Sequence, residues 1–163
     1  MNPIELETGA HLDALEPWRA AEFAAHMARA TLTRYAEHLA HDGPRIYGIW
    51  VDGLLVGGVM FVEFSATSGV CEVGCWSEPA GEGHGHITSA ITQLVRYAFE
   101  VRGLHRVEWR CRSDNVRSLA VARRLGMVHE GELREAWLVD GTFHDKSVWS
   151  LLSHEYNDRL QRG

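Results

Sequence analysis

From Ile87 the apolar residues fall at Ile87, Ala90, Ile91, Leu94, Val95, Ala98 and Phe99. Steps of three and four put them on one stripe of a helix. The stripe ends near Val101, and Gly103 follows as a stop. A second helical run, VRSLAVARRL, has Ser113, Asp114 and Asn115 ahead of it as N-cap choices and Gly126 behind it. Nearer the start, Trp18, Ala21, Phe23, Ala24 and Met27 have near-helical spacing behind Pro17, which predicts a helix over 18–30. Another is expected over 32–40, before His41-Asp42-Gly43-Pro44 breaks the chain.

Between these helices the pattern becomes strand-like. RIYGIWV and LLVGGVMFVEF flank Asp52-Gly53, a strong hairpin signal. Gly57 and Gly58 inside the second run suggest a bulge or a close backbone contact. After a turn at 65–69, VCEVGCW is a third strand of the meander. LHRVEWRC follows the long helix. MVHEGELREAWLV and TFHDKSVWSLL close the chain as a second Asp-Gly hairpin around Asp140-Gly141. A first strand belongs at either IELE or LDALE. The order is β-α-α-β-β-β-α-β-α-β-β. Its central β-α-β is a parallel crossover and its hairpins are antiparallel, so the class is α/β with a mixed sheet.

Bulk properties narrow the partners. A chain of 163 residues is expected to form a single domain, 1–163. Its net charge of -6 argues against nucleic acid as the main partner. No run approaches the ~18 apolar residues of a membrane span, and MNPIELETGA lacks a signal-peptide pattern. A cytoplasmic protein is expected, with Cys71, Cys75 and Cys111 as reduced core thiols.

The chemistry centres on AGEGHGHITSAI. Gly81, Gly83 and Gly85 stand on alternate positions just before a helix, where glycine costs stability. A glycine turn opening a helix is anion-site geometry: amides of residues Gly83, His84, Gly85, His86, Ile87 and Thr88 would cradle a diphosphate. A plain turn ahead of a helix has the same spacing. The G-x-G-x-G pattern lacks the lysine of a Walker loop. His84 and His86 read as a surface loop pair rather than metal ligands, so no metal is expected.

Five motifs stand in order around this loop: Gly74-Cys75-Trp76, Gly83-His84-Gly85, Asn115-Val116-Arg117-Ser118, Gly126-Met127-Val128-His129-Glu130-Gly131 and Asp140-Gly141-Thr142-Phe143-His144-Asp145. Together they resemble the GNAT superfamily of acyl-CoA-dependent N-acetyltransferases, most closely its RimJ/RimL-type group, over residues 45 to 155. The resemblance implies a GNAT fold: a central sheet of about seven strands, helices on both faces, and splayed fourth and fifth strands, VCEVGCW and LHRVEWRC. It implies acetyl-CoA as cosubstrate, held by Cys75, Trp76 and Ser77 of the splayed strand, by the loop and first helical turn, and by Asn115 and Ser118.

The resemblance further implies direct transfer of acetyl to a primary amine, either a protein N-terminus or a small molecule such as a polyamine or aminoglycoside. Glu72 is the candidate base, with His144 and Asp145 as runners-up, and Ser118 the candidate acid. Arg117, Arg123 and Arg124 could reach the coenzyme's 3'-phosphate. Two positions depart from the family pattern: Ala80 replaces the usual Arg or Gln of the loop, and Ala122 the tyrosine acid of many relatives. A non-catalytic acyl-CoA-binding module is the rival reading. Relatives are often dimers, so a homodimer is expected.

Overall fold

The computed structural model describes residues 43–162, together with the backbone of residues 4–5 and 11–14. The helices expected over 18–30 and 32–40 lie outside the described residues. The element order is β1 (Ile4–Glu5), β2 (His11–Ala14), β3 (Arg45–Val51), β4 (Leu54–Ser65), β5 (Val70–Ser77), α1 (His86–Arg96), β6 (Arg106–Arg112), α2 (Val116–Arg124), β7 (Val128–Val139), β8 (Thr142–Leu152) and α3 (Ser153–Arg162). The single first strand expected at IELE or LDALE is two short strands, paired antiparallel with Ile4 opposite Leu12.

Among the described residues, eight strands form one sheet in the order β1-β2-β3-β4-β5-β6-β8-β7, against about seven expected. Both Asp-Gly pairs make hairpin turns with positive φ at each residue: 49° and 78° at Asp52 and Gly53, 47° and 77° at Asp140 and Gly141. Among the described residues the only parallel pair is β5 with β6, across the crossover helix α1. Its register runs from Val70↔Arg106 to Val73↔Trp109 and stops there. Beyond Val73, β5 stays paired with β4 on its other side, through Gly57↔Ser77. The splay expected between these two strands is present and opens toward the N-terminus of α1.

Period-two alternation divides the sheet. Cys71, Val73, Val107, Trp109, Cys111, Trp149 and Leu151 face the main core. Ala90, Ile91, Leu94 and Val95 of α1 meet them there, as the stripe predicts, with Val121 and Ala122 of α2. Trp109 is among the largest fully buried side chains; truncating such a residue to Ala costs ~3–5 kcal/mol. On the opposite face, Ile46, Trp50 and Met60 form a smaller cluster. The described helices that build a core therefore lie on one face of the sheet.

Beyond Arg96, α1 runs into a π-helical turn, Tyr97–Val101, which keeps Ala98 and Phe99 buried. The chain ends in α3, a helix the sequence reading missed. Glu155 starts it, its Oε2 accepting from the Leu152 N–H at 2.9 Å. Arg159 of α3 donates to the carbonyls of Leu125 and Gly126, just past the last turn of α2. The three cysteines are free, Cys71 and Cys111 buried and Cys75 partly so.

Candidate active site

Where β5 leaves β6, a cleft of about 1550 Å³ opens. Its floor is the end of β5 beyond its pairing with β6, at Cys75, Trp76 and Ser77. One wall is the glycine loop with α1, and the other is α2. Ten predicted contact residues line it: Cys75, Trp76, Ser77, Gly83, Gly85, His86, Ile87, Thr88, Asn115 and Ser118. His84 does not; it is exposed and stacks on His86 at 5.6 Å. No group of metal-ligating side chains occurs among the described residues.

The glycines answer to two constraints. Gly81 is buried, and a Cβ there would stand 2.3 Å from the Val56 carbonyl oxygen, so its role is close packing. Gly83 and Gly85 have φ of 79° and 78°, a conformation that L side chains rarely adopt. A Cβ at either would meet nothing within 4 Å, so the space above both is open. Gly85 is the N-cap of α1 and supplies no side-chain cap. The first-turn amides of α1 thus lack an intrahelical partner at the cleft wall, and the helix dipole adds partial positive charge. Arg96, Arg117 and Arg124 also line the cleft. This open, amide-lined and cation-rimmed cradle fits an extended phosphorylated ligand.

At the strand end, Asn115 caps α2: its Oδ1 accepts from the Ser118 N–H at 3.1 Å. Its side-chain amide N–H groups are left for other partners. Burial pushes the Cys111 thiol up, an effect the neighbouring Ser118 and Trp109 side chains only partly offset. Burial pushes the Cys75 thiol up to about 12. Both thiols therefore stay protonated near neutral pH and are poor nucleophiles. Ala122, where the resemblance leaves no tyrosine, is 0% exposed in the core.

Glu72 does not line this cleft. Three residues before Cys75 on a strand, it faces the other side of the sheet. Its side chain is 14% exposed and lies 3.5 Å from Arg110. Burial raises its pKa, Glu63 and Glu108 add to the rise, and Arg110 and Lys146 oppose it. A half-buried carboxylate held above its usual range suits proton removal more than a solvated one.

The runners-up are tied into the fold. Asp145 Oδ1 accepts from the Glu135 N–H at 2.8 Å, where Glu135 has a φ of 52°. The Asp145 carbonyl accepts from Ser113 N–H at 3.0 Å. His144 Nδ1 is 3.9 Å from Asp114, which Arg112 holds by two contacts of 2.9 and 2.6 Å. Of the three arginines singled out in sequence, Arg117 and Arg124 reach the cleft, while Arg123 lies over the Trp149 ring at 5.6 Å.

Sequence reading missed the polar row Ser89, Thr92, Gln93 and Arg96 on α1, which faces α2 across the cleft. Its three- and four-residue spacing beside the apolar stripe was the available signal. It also missed Glu82, the one carboxylate among the lining residues.

Comparison with known proteins agrees with this geometry. The model of the acetyltransferase (GNAT) domain matches residues 8–128. The chain belongs to the GNAT acetyltransferase family. Among its GNAT relatives is YdaF of Bacillus subtilis, named provisionally as a ribosomal N-acetyltransferase. It is 36% identical over 130 residues, 75% of this chain and 71% of that protein. Spermidine N(1)-acetyltransferase of Escherichia coli is 25% identical over 122 residues, 75% of this chain and 66% of that protein. Among solved GNAT structures, RimL, a ribosomal alpha-N-protein acetyltransferase in complex with coenzyme A, superposes with a TM-score of 0.83. It covers 94% of this chain and 99% of that one at 19% identity, a likeness of fold.

Proposed function

We propose that this GNAT protein moves an acetyl group from acetyl-CoA to a primary amine by direct transfer in a ternary complex. The observation that carries the donor assignment is the cleft itself, where bare first-turn amides, an open glycine loop and the edge of β5 that has parted from β6 converge. The amides of His86, Ile87 and Thr88 hold the diphosphate. The edge of β5 that has parted from β6, at Cys75, Trp76 and Ser77, pairs with the pantetheine arm, and Asn115 contributes its side-chain amide. Acetyl-CoA supplies the activated acyl group and leaves as the thiol.

A backbone N–H near Cys75 faces the thioester oxygen as it gains charge. One such preorganised donor is worth ~3–4 kcal/mol. Glu72 takes the amine proton through water from the far side of the sheet. The Ser118 hydroxyl donates to the departing sulfur. Protonated Cys75 and Cys111 support direct transfer over an acyl-enzyme route.

The acceptor is a primary amine, either a protein N-terminus or a small amine such as a polyamine. The names of the relatives include both kinds, and the net charge of -6 favours a cationic acceptor. Thiol release from acetyl-CoA, followed against N-terminal peptides, polyamines and aminoglycosides, tests the reading. Turnover of at least one amine class is expected. Coenzyme binding with no turnover of any amine would leave only a binding module.

A further inference from the structure

The carboxylate inside the anion loop is the feature the catalytic reading does not absorb. Glu82 stands between Gly81 and Gly83, beside the amides assigned to the diphosphate. An acidic side chain there opposes a polyanion. Its Oε1 accepts from Arg117 Nη1 at 2.5 Å. The contact links the loop to the first turn of α2, from one cleft wall to the other. The loop's negative charge is thereby cancelled. So is the positive charge of Arg117. The other two cleft arginines stand at the far ends of their helices, Arg96 on α1 and Arg124 on α2.

We propose that Glu82 and the coenzyme's phosphates compete for Arg117, so that this ion pair sets donor affinity and release. The proposal rests on the coenzyme A reading above. Before the donor binds the guanidinium belongs to Glu82; on binding it turns to phosphate, and Glu82 withdraws into solvent. Both side chains can do this, being 78% and 41% exposed. A fixed salt bridge would instead add to the wall and hold no exchange. The pair makes the enzyme selective for donors that carry phosphate. It also limits how tightly product coenzyme A is held, because a carboxylate waits to recapture the arginine.

The test is calorimetry of coenzyme A and of pantetheine, which lacks the diphosphate, with wild type, Glu82→Gln, Arg117→Gln and the double variant. Glu82→Gln should bind coenzyme A about three- to fivefold more tightly, as expected for one exposed charge pair. Arg117→Gln, with Glu82 unopposed, should bind it about tenfold more weakly. The double variant should fall near wild type, far from the weaker single variant. Both single-variant shifts should shrink at high salt, and pantetheine affinity should not move. Thermal melts check that each variant folds. Glu82→Gln binding coenzyme A no more tightly than wild type overturns the competition while leaving the donor assignment standing. Failure of the wild type to bind coenzyme A overturns both.

Discussion

Gly85→Ala and Gly85→Asn together separate the two reasons for a glycine at the mouth of α1. Gly85 sits at φ 78° with empty space where a Cβ would stand. Alanine there costs ~1–2 kcal/mol of backbone strain and meets no clash. At ~2–4 °C per kcal/mol for a chain of this size, Tm should fall by ~2–8 °C. Asparagine tolerates the left-handed region, so Gly85→Asn should lose less than half as much. If the open space holds phosphate, both variants lose donor affinity, and the asparagine more, since its larger side chain fills the cradle. Loss of one charge-assisted hydrogen bond, ~1.5–3 kcal/mol, corresponds to roughly 10- to 150-fold in Kd. Differential scanning fluorimetry and coenzyme A calorimetry on the same preparations give both numbers. Gly85→Asn binding coenzyme A as tightly as wild type would show that the glycine serves backbone conformation alone, and the cradle assignment would fail.

Glu72→Gln should abolish the acidic limb of the pH–rate profile and cut kcat. It should also raise Tm slightly above neutral pH. A carboxyl whose folded pKa is raised binds its proton more tightly when folded, so stability drops as pH climbs from 4.5 through the raised value; glutamine removes that penalty. Ser118→Ala should lower kcat about tenfold, one hydrogen bond's worth, with KM for acetyl-CoA nearly unchanged in steady-state assays. Glu130 shows the opposite linkage: Arg106 and Ser150 hold its carboxyl down to about 2. Its stabilisation is present above 4.5 and fades as pH falls toward 2. Being partly exposed, the pair is worth about 1 kcal/mol, so Glu130→Gln should cost ~2–4 °C in Tm at pH 7 and progressively less as pH falls from 4.5 through about 2. Iodoacetamide at pH 8 should leave Cys75 unmodified in the folded protein. Intact-mass spectra after incubation with acetyl-CoA alone should show no acetyl on any cysteine.

Much of this architecture was legible because local signals agreed with the global fold. The stripe from Ile87 to Phe99 is the face that packs on the sheet, and both Asp-Gly pairs turn as their composition demands. The cleft floor and the α2 cap were readable as motifs, since backbone roles leave marks in glycine and asparagine placement. Side-chain direction was harder. Glu72 was placed near the splay by sequence distance, but three residues along a strand reverses the face. The contact between Glu82 and Arg117 spans 35 positions, and no periodicity encodes such a pair. α3 buries no residue, so it has no apolar stripe to announce it.

The clasp of Arg159 on the carbonyls of Leu125 and Gly126 has a practical corollary. The helix it grips carries Asn115, Arg117 and Ser118. Trimming the protein after Leu152 would spare the sheet yet unfasten the far end of that helix, like pulling the hinge pin from one leaf of a door. Shortened versions made for convenience would then report a slackened cleft wall rather than the native one.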